Sequence, residues 1–223
     1  MREIKIVGLG MAALDIVLRS KDLPTWEAGV RLSAAAIEGG GPVATALAAA
    51  QRLGVHTGFV GTYGSDRLGE IKKATLVEEG IDVSRMVRRP GPENQTMLVN
   101  VRQETGEHIF SWVAVDCPPL EVSELDREYI TSAEFLHLDG CHAQAALQAA
   151  QWMHAAGKRV MLDGSATRGP ISPAMRALVC AANIVICGTG FGPALTGKRD
   201  LWEVGQEMLA MGPEIVVQTE GED

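Results

Sequence analysis

Residues 38–54 read EGGGPVATALAAAQRLG, so three consecutive glycines lead directly into a proline and an alanine-rich run. Glycine permits close approach to the backbone, proline suits the first helical position, and a glycine such as Gly54 commonly follows the last helical turn. The segment therefore predicts a glycine turn that opens a helix. Such a helix N-terminus has free N–H groups and the positive end of the helix dipole, so we expect it to bind an oxygen-rich ligand. A tight loop packed against a sheet explains the glycines equally well.

The composition is that of a soluble globular protein, since 46% of the 223 residues are hydrophobic and 22% are charged. The net charge of −8 argues against nucleic acid or an anionic membrane as a partner. Apolar runs are too short to span a bilayer, and the first residues lack the pattern of a signal peptide. The four cysteines are widely spaced without a C-x-x-C pair, which is typical of reduced thiols. We therefore expect a cytoplasmic protein.

Most of the chain alternates between short apolar runs and helical patterns. Predicted strands lie at residues 4–7, 57–64, 135–140, 159–164, 183–187 and 214–219. Predicted helices lie at residues 42–53, 66–79 with Ser65 as N-cap, 143–156, from 173 onward, and 200–211. This alternation predicts an α/β fold with a mostly parallel sheet flanked by helices.

Four segments interrupt the alternation, at about residues 14–19, 31–37, 96–102 and 108–114. The last two flank a turn at residues 104–107 and read as a β-hairpin. Together the four segments predict a small separate β-sheet, which is a candidate lid over a ligand or a candidate dimer surface. Phe110 is a candidate to cover a ligand, although hairpin aromatics are more often packing residues.

Residues 8–13 fit the G-x-G-x-x-A pattern of a dinucleotide-binding turn. That motif requires a helix after the glycines, whereas residues 14–19 are β-branched and partly alternating, which favours a strand. A nicotinamide-dependent oxidoreductase is therefore a distant alternative. Asp15 in this strand is a candidate to bind two neighbouring hydroxyls of a polyol, and a solvated or turn-capping aspartate is an equally good interpretation.

The predicted strands end in polar residues that include Asp139, Asp163 and Glu220. Ligands of open α/β sheets bind beyond the carboxyl ends of the strands, so we expect these residues to face one crevice. His137 and His142 flank one strand end without carboxylate partners at ligand spacing, and we therefore assign no metal-ligating residues.

A set of motifs occurs in the order and spacing of the ribokinase-like, or PfkB, family of sugar and nucleoside kinases, which the chain resembles over nearly its whole length. The motifs are residues 7–15, 40–46, 60–66 with Gly69, 79–82, Thr96, 105–107, 162–164 and 195–197. The resemblance implies that family's fold and the transfer of the γ-phosphoryl group of ATP, with Mg²⁺, to a hydroxyl of a small sugar-like molecule. A homodimer formed through the lid is a further expectation of the resemblance.

The resemblance, together with the hairpin position of Phe110, gives two sets of candidate binding residues. The set expected to contact the sugar is Asp15, Gly40, Gly41, Thr45, Phe110, Asp163 and Arg168. The set expected near the nucleotide is Thr189, Thr219 and Gly221. Thr45 stands where many members have asparagine, and its hydroxyl lacks the paired donor and acceptor of an amide. Arg168 is a candidate to neutralise an anionic substituent of the substrate.

Two departures from the family concern catalysis. Residues 187–191 contain no glutamate where the family often has an acidic magnesium motif, and the Gly-Ala-Gly-Asp motif for the catalytic base does not occur in residues 1–223. We expect these residues to be one incomplete kinase domain that binds a sugar without turnover. The alternative is a degenerate, non-catalytic protein that binds a sugar, a nucleoside or a partner protein.

Overall fold

The computed structural model describes residues 3–114, 117–166 and 169–221. This part of the chain forms the strands β1 (Ile6–Leu9), β2 (Ala13–Ser20), β3 (Leu32–Gly40), β4 (Thr57–Gly64), β5 (Asp82–Arg89), β6 (Thr96–Arg102), β7 (His108–Trp112), β8 (Phe135–Leu138), β9 (Arg159–Ser165), β10 (Ile184–Cys187) and β11 (Ile215–Gln218). Its α-helices are α1 (Pro42–Arg52), α2 (Arg67–Glu78), α3 (Arg127–Ser132), α4 (Ala143–Ala155), α5 (Pro173–Ala181), α6 (Phe191–Thr196) and α7 (Leu201–Ala210). Within these described ranges, no helix has the length and apolar character needed to cross a membrane.

Seven strands form one parallel sheet in the order β11-β10-β9-β8-β1-β4-β5. Val7 and Leu9 of β1 belong to a core cluster with Ala146 of α4, whereas Gly8 between them faces Val43 of α1. Helices therefore cover both faces of the sheet, and the predicted α/β fold is confirmed. The sequence analysis does not predict β5, because its residues DVSRMVRR are mostly polar and form the edge of the sheet.

The remaining strands form a second sheet in the order β3-β2-β6-β7, which confirms the predicted separate sheet. Strand β2 pairs antiparallel with β3 and parallel with β6. Asp15 lies opposite Glu38 on one side and Met97 on the other, and Met97 lies opposite Trp112. These four side chains therefore share one face, which we call the Asp15 face of the second sheet.

Residues 8–13 do not form a dinucleotide-binding turn, because the strand β2 and not a helix follows them. Their glycines are required by packing. A Cβ on Gly8 would lie 2.7 Å from Leu47 Cδ1 of α1, and a Cβ on Gly10 would lie 2.6 Å from Asp139 Cγ. The oxidoreductase alternative therefore loses the motif on which it rested.

The helix ends confirm two predictions and correct one. Helix α1 begins at Pro42, and Gly54 follows it with a φ of +90°. The N-cap of α2 is Asp66 and not Ser65, because Asp66 Oδ1 accepts a hydrogen bond from Gly69 N at 2.9 Å. Ser65 instead binds the loop before β6, where its Oγ accepts a hydrogen bond from Gly91 N at 2.9 Å.

Candidate sugar and nucleotide site

The carboxyl end of β8 places Asp139 between the β1–β2 turn and the start of α1. Its Oδ2 accepts a hydrogen bond from Met11 N at 2.8 Å, and its Oδ1 accepts one from Cys141 N at 2.9 Å. The N–H of Val43 also bonds to this carboxylate. Burial raises the pKa of Asp139, and the three backbone donors oppose that rise because they stabilise the anion.

The start of α1 consequently has few N–H groups left for a ligand. Pro42 has no N–H, Val43 donates to Asp139, and Ala44 N donates to Met11 O at 3.3 Å. The prediction of a helix N-terminus with free N–H groups is therefore wrong, because a carboxylate of the protein itself occupies that position. An aspartate directly after the apolar run FLHL was the available sequence signal, but only the fold shows which helix it meets.

Asp15 and Gly40 contact each other where β2 and β3 approach α1. A Cβ on Gly40 would lie 2.8 Å from Asp15 Cγ and closer still to Oδ2, so this carboxylate position requires glycine. Asp15 Oδ1 is buried and has no hydrogen-bond partner among the described residues. Burial, and after it the charge of Glu38, raises the pKa of Asp15. A hydroxyl donor on a ligand would satisfy this oxygen.

Gly41 and Thr45 lie beside this contact. Gly41 has a φ of +94°, and a Cβ there would lie 2.7 Å from Met11 O, so the backbone requires glycine. Thr45 is exposed on α1, and together with Gly40 and Glu38 it lines a cavity of about 520 Å³ between α1, α2 and β3. Gly40 thus contacts Asp15 and shares the cavity wall with Thr45, whereas Asp15 does not line that cavity. The role of these residues as sugar ligands stays a prediction.

Phe110 lies on the Asp15 face of the second sheet, because Val17 pairs with Val99 and Val99 pairs with Phe110. Its side chain is 49% exposed and makes an edge-to-face contact with His108, with ring centroids 5.0 Å apart. Phe110 is therefore accessible to a ligand on this face, as a covering residue must be.

Asp163 lies near the carboxyl end of β9, two strands away from β1. Its Oδ1 accepts a hydrogen bond from Ser165 N at 2.6 Å, so the chain itself uses part of the carboxylate. It shares a face of the parallel sheet with His137, a buried histidine whose pKa is lowered by that burial. Arg168, the last predicted sugar ligand, lies outside the described residues.

Thr189, Thr219 and Gly221 lie at the carboxyl ends of β10 and β11. These two strands form one edge of the parallel sheet and are separated by β9 and β8 from β1, which leads to Asp15. Thr189 Oγ1 donates a hydrogen bond to Thr219 O at 3.2 Å, and Thr219 N donates one to Cys187 O at 2.9 Å. Gly221 has a φ of +76° with open space where a Cβ would be. Exposed hydroxyls and an unobstructed glycine at strand ends are compatible with the ribose or phosphates of ATP.

A buried ion pair holds the second sheet to the parallel sheet, and the sequence analysis missed it. Lys72 of α2 lies 2.7 Å from Glu93 Oε1, and both side chains are fully buried. Glu93 also accepts hydrogen bonds from Gly64 N and Gln95 N, each at 2.8 Å. Gln95 O in turn accepts a hydrogen bond from Leu14 N at 2.8 Å, next to Asp15. The pair therefore fixes the loop that leads into β6 and the start of β2.

Metal ligands are not grouped in this part of the chain. Within residues 3–114, 117–166 and 169–221, no three His, Cys, Asp or Glu side chains are close enough together to hold a metal ion. The carboxylates of Asp139 and Asp163 are bound by backbone N–H groups.

The seven-stranded parallel sheet, with a second sheet beside β1 and polar strand ends, defines a ribokinase-like fold. The solved structure of Arabidopsis thaliana ribokinase complexed with ribose and ATP has a TM-score of 0.77 to this chain at 20% sequence identity, covering 97% of this chain and 72% of that one. The chain belongs to the pfkB family of carbohydrate kinases, whose family model matches residues 3–223.

Two curated relatives are similar over parts of the chain. A fructokinase of Salmonella typhimurium is 29% identical over 131 residues, which are 56% of this chain and 42% of that protein. A 5-dehydro-2-deoxygluconokinase of Shouchella clausii is 27% identical over 171 residues, which are 73% of this chain and 51% of that protein. The chain thus spans about half the length of these relatives.

Proposed function

We propose that the protein containing this chain transfers the γ-phosphoryl group of ATP to a hydroxyl of a sugar or sugar derivative. The observation that carries the proposal is the contact between Asp15 and Gly40, which leaves one buried carboxylate oxygen without a partner. Membership in the pfkB family supports the reaction type.

Each residue of the sugar-binding end has a proposed task. Asp15 accepts hydrogen bonds from two adjacent sugar hydroxyls, because an ionised carboxylate has two acceptor oxygens. Gly40 and Gly41 let the sugar approach the backbone, Thr45 offers one hydroxyl, and Phe110 covers the bound sugar from the second sheet. In the transfer, the bond from the γ-phosphorus to its bridging oxygen breaks, a bond to the sugar oxygen forms, and the hydroxyl proton is released.

Thr189, Thr219 and Gly221 form the proposed border of the nucleotide site. ATP supplies the phosphoryl group, and Mg²⁺ neutralises charge on its phosphates. Asp163 lies near the carboxyl end of β9, which stands between β10 and β1 in the sheet, and is proposed to orient the substrate. We further propose that residues 1–223 alone bind a sugar without turnover, because Gly-Ala-Gly-Asp does not occur in them.

The relatives support two different classes of substrate. A fructokinase acts on a neutral ketose, and a 5-dehydro-2-deoxygluconokinase acts on a sugar acid. Arg168 would suit the acid, whereas Asp15 suits only hydroxyls. The proposed function includes both classes.

The experiment is a panel of neutral sugars and sugar acids, with ADP formation and sugar binding measured separately on the purified protein. Gly40→Ala displaces the Asp15 carboxylate, so we expect sugar binding to weaken by roughly tenfold or more, as for the loss of a hydrogen bond to a charged group. Gly205→Ala in α7 is the matched control, because a Cβ there meets nothing within 4 Å. Sugar binding without ADP formation by the full protein would favour the non-catalytic alternative.

A homodimer through the second sheet is a further proposal. The face opposite to the Asp15 face carries Ile37 and Ile109, which are 52% and 51% exposed. Exposed apolar side chains on a sheet face are typical of a protein–protein contact. Light scattering should give twice the monomer mass, and a monomer at high concentration would contradict the proposal.

A further inference from the structure

Glu38 lies directly opposite Asp15 in the antiparallel pair β2–β3, so both carboxylates project from the Asp15 face. Residues opposite each other in such a pair have Cβ atoms about 4.5–5.5 Å apart, and like charges there destabilise each other. The charge of Glu38 accordingly adds to burial in raising the pKa of Asp15. The proposed sugar site thus has two acidic groups where hydroxyl binding requires one.

Among the described residues, little positive charge lies near this pair of carboxylates. In the described part of the chain, neither of them forms an ion pair with a basic side chain. Arg19 is on the same face, but it is exposed and lies four residues along β2, roughly 13 Å away.

We infer that Glu38, acting with Asp15, makes the sugar site select hydroxyl-rich ligands without a negative charge and exclude sugar acids and sugar phosphates. The inference rests on the proposed function and narrows its substrate class. Hydroxyl groups donate hydrogen bonds to both carboxylates, whereas a ligand carboxylate would add a third like charge at a partly buried position. Glu38 is thus a specificity-determining residue that repels one class of ligand.

The test uses pairs of ligands that differ only by a CH₂OH group in place of a carboxylate. The pairs are D-fructose with 2-dehydro-D-gluconate, and D-glucose with D-glucuronate. Isothermal titration calorimetry on the purified protein, at neutral pH and low salt, should show that the neutral member binds more tightly. Glu38→Gln should reduce this preference on the order of fivefold, because like charges about 4 Å apart in water repel by about 1 kcal/mol.

The matched control is Glu104→Gln, which removes one negative charge from the exposed turn between β6 and β7. It should leave the preference unchanged, and thermal unfolding should show that both variants are folded. An equal effect of Glu38→Gln on neutral and acidic ligands would overturn the inference, because a structural role would affect both. Tighter binding of the acids by the wild type would also overturn it and leave the proposed function standing. Binding of no sugar by the wild type would contradict the proposed function itself, and the inference would fall with it.

Discussion

Two regions of the molecule differ in whether their side chains are buried with partners in the protein. One is the base of the second sheet, where Lys72 pairs with Glu93. The other is the outer edge of the parallel sheet, which β10 and β11 form. At the base, Lys72 and Glu93 are fully buried, and each is bonded to specific protein groups. At the outer edge, β10 and β11 expose apolar side chains, since Ile186, Ile215 and Val217 are 37%, 47% and 43% exposed. Buried contacts between described residues therefore hold the proposed sugar-binding end in place, whereas the proposed nucleotide-binding end has exposed side chains.

Topology accounts for this difference. Strands β1 and β4 have neighbours on both sides, α1 and α2 pack against them, and the second sheet joins them through short connections. Polar groups in such a place are removed from water and need partners within the protein. Among the described strands, β11 pairs only with β10, and its Ile215 and Val217 side chains are exposed. The comparison teaches that the fold itself positions Asp15, and such preorganisation would lower the entropic cost of binding the proposed sugar.

The largest loss of stability should come from Lys72→Met at the base of the second sheet. This change leaves the Glu93 carboxylate buried without its cation, so we expect the free energy of unfolding to fall by about 3–5 kcal/mol. Urea unfolding followed by circular dichroism measures this change. Sugar binding should weaken as well, because the pair fixes the loop that holds the start of β2.

The control for this variant is Lys73→Met, which removes a neighbouring charge that lies over the Tyr63 ring at 5.0 Å. It should cost no more than about 1 kcal/mol. The double variant Lys72→Met with Glu93→Gln should recover part of the loss, because no buried charge is then left unpaired. If Lys72→Met cost as little as Lys73→Met, the buried ion pair would not stabilise the base of the second sheet as described above.

The second effect is a loss of stability at mildly acidic pH caused by His142 at the start of α4. Its Nδ1 accepts a hydrogen bond from Leu120 N at 3.0 Å. Burial, followed by the charges of Arg89 and Lys72, lowers the pKa of His142 from 6.5 to about 4. The unfolded chain therefore takes up the proton more readily than the folded one. The contribution of His142 to stability should be constant above about pH 6.5 and should fall by up to about 3 kcal/mol as the pH decreases to 4.

Unfolding free energies between pH 4 and 8 measure this dependence, with His142→Asn as the comparison. Asparagine tolerates the φ of +57° at this position and can accept the hydrogen bond of Leu120, but it does not titrate. The Glu124 carboxylate, whose pKa is lowered to about 2 chiefly by its bond to Arg89, loses its contribution only below about pH 4.5. An identical pH profile in the two proteins would show that His142 is not the titrating group.

The alternating pattern of the chain was sufficient to predict most of the parallel sheet and all of the second sheet. Apolar runs such as FLHL mark central strands, and capping residues such as Asp200 mark helix starts. Strand β5 was not predictable in the same way, since an edge strand with mostly polar residues lacks the apolar alternation. The short helices α3 and α6 have only six residues each, which is too few to show helical periodicity.

The sequence placed Asp15 and Gly40 in motifs that follow β1 and open α1, and the structure brings these two residues into contact. The membership of the site stays a prediction, and its other contacts were not predictable. The missed contacts are Asp139 at the start of α1 and the ion pair of Lys72 with Glu93, and each joins residues far apart in the chain. Glu38 was visible before the glycine triplet, but its importance depends on the strand register that places it opposite Asp15.

The smallest change in stability is expected at the outer edge of the parallel sheet. It tests whether the exposed face of β11 is free of contacts with another copy of the chain. Val185 of β10 is fully buried on one face of the sheet, whereas Val217 of β11 is 43% exposed on the other. Val185→Ala should lower the free energy of unfolding by about 2 kcal/mol, and Val217→Ala should change it by less than about 0.5 kcal/mol. Thermal and urea unfolding of residues 1–223 measure both. If Val217→Ala cost as much as Val185→Ala, and the cost depended on protein concentration, a second copy would cover this face, and the edge would be a buried contact like the base.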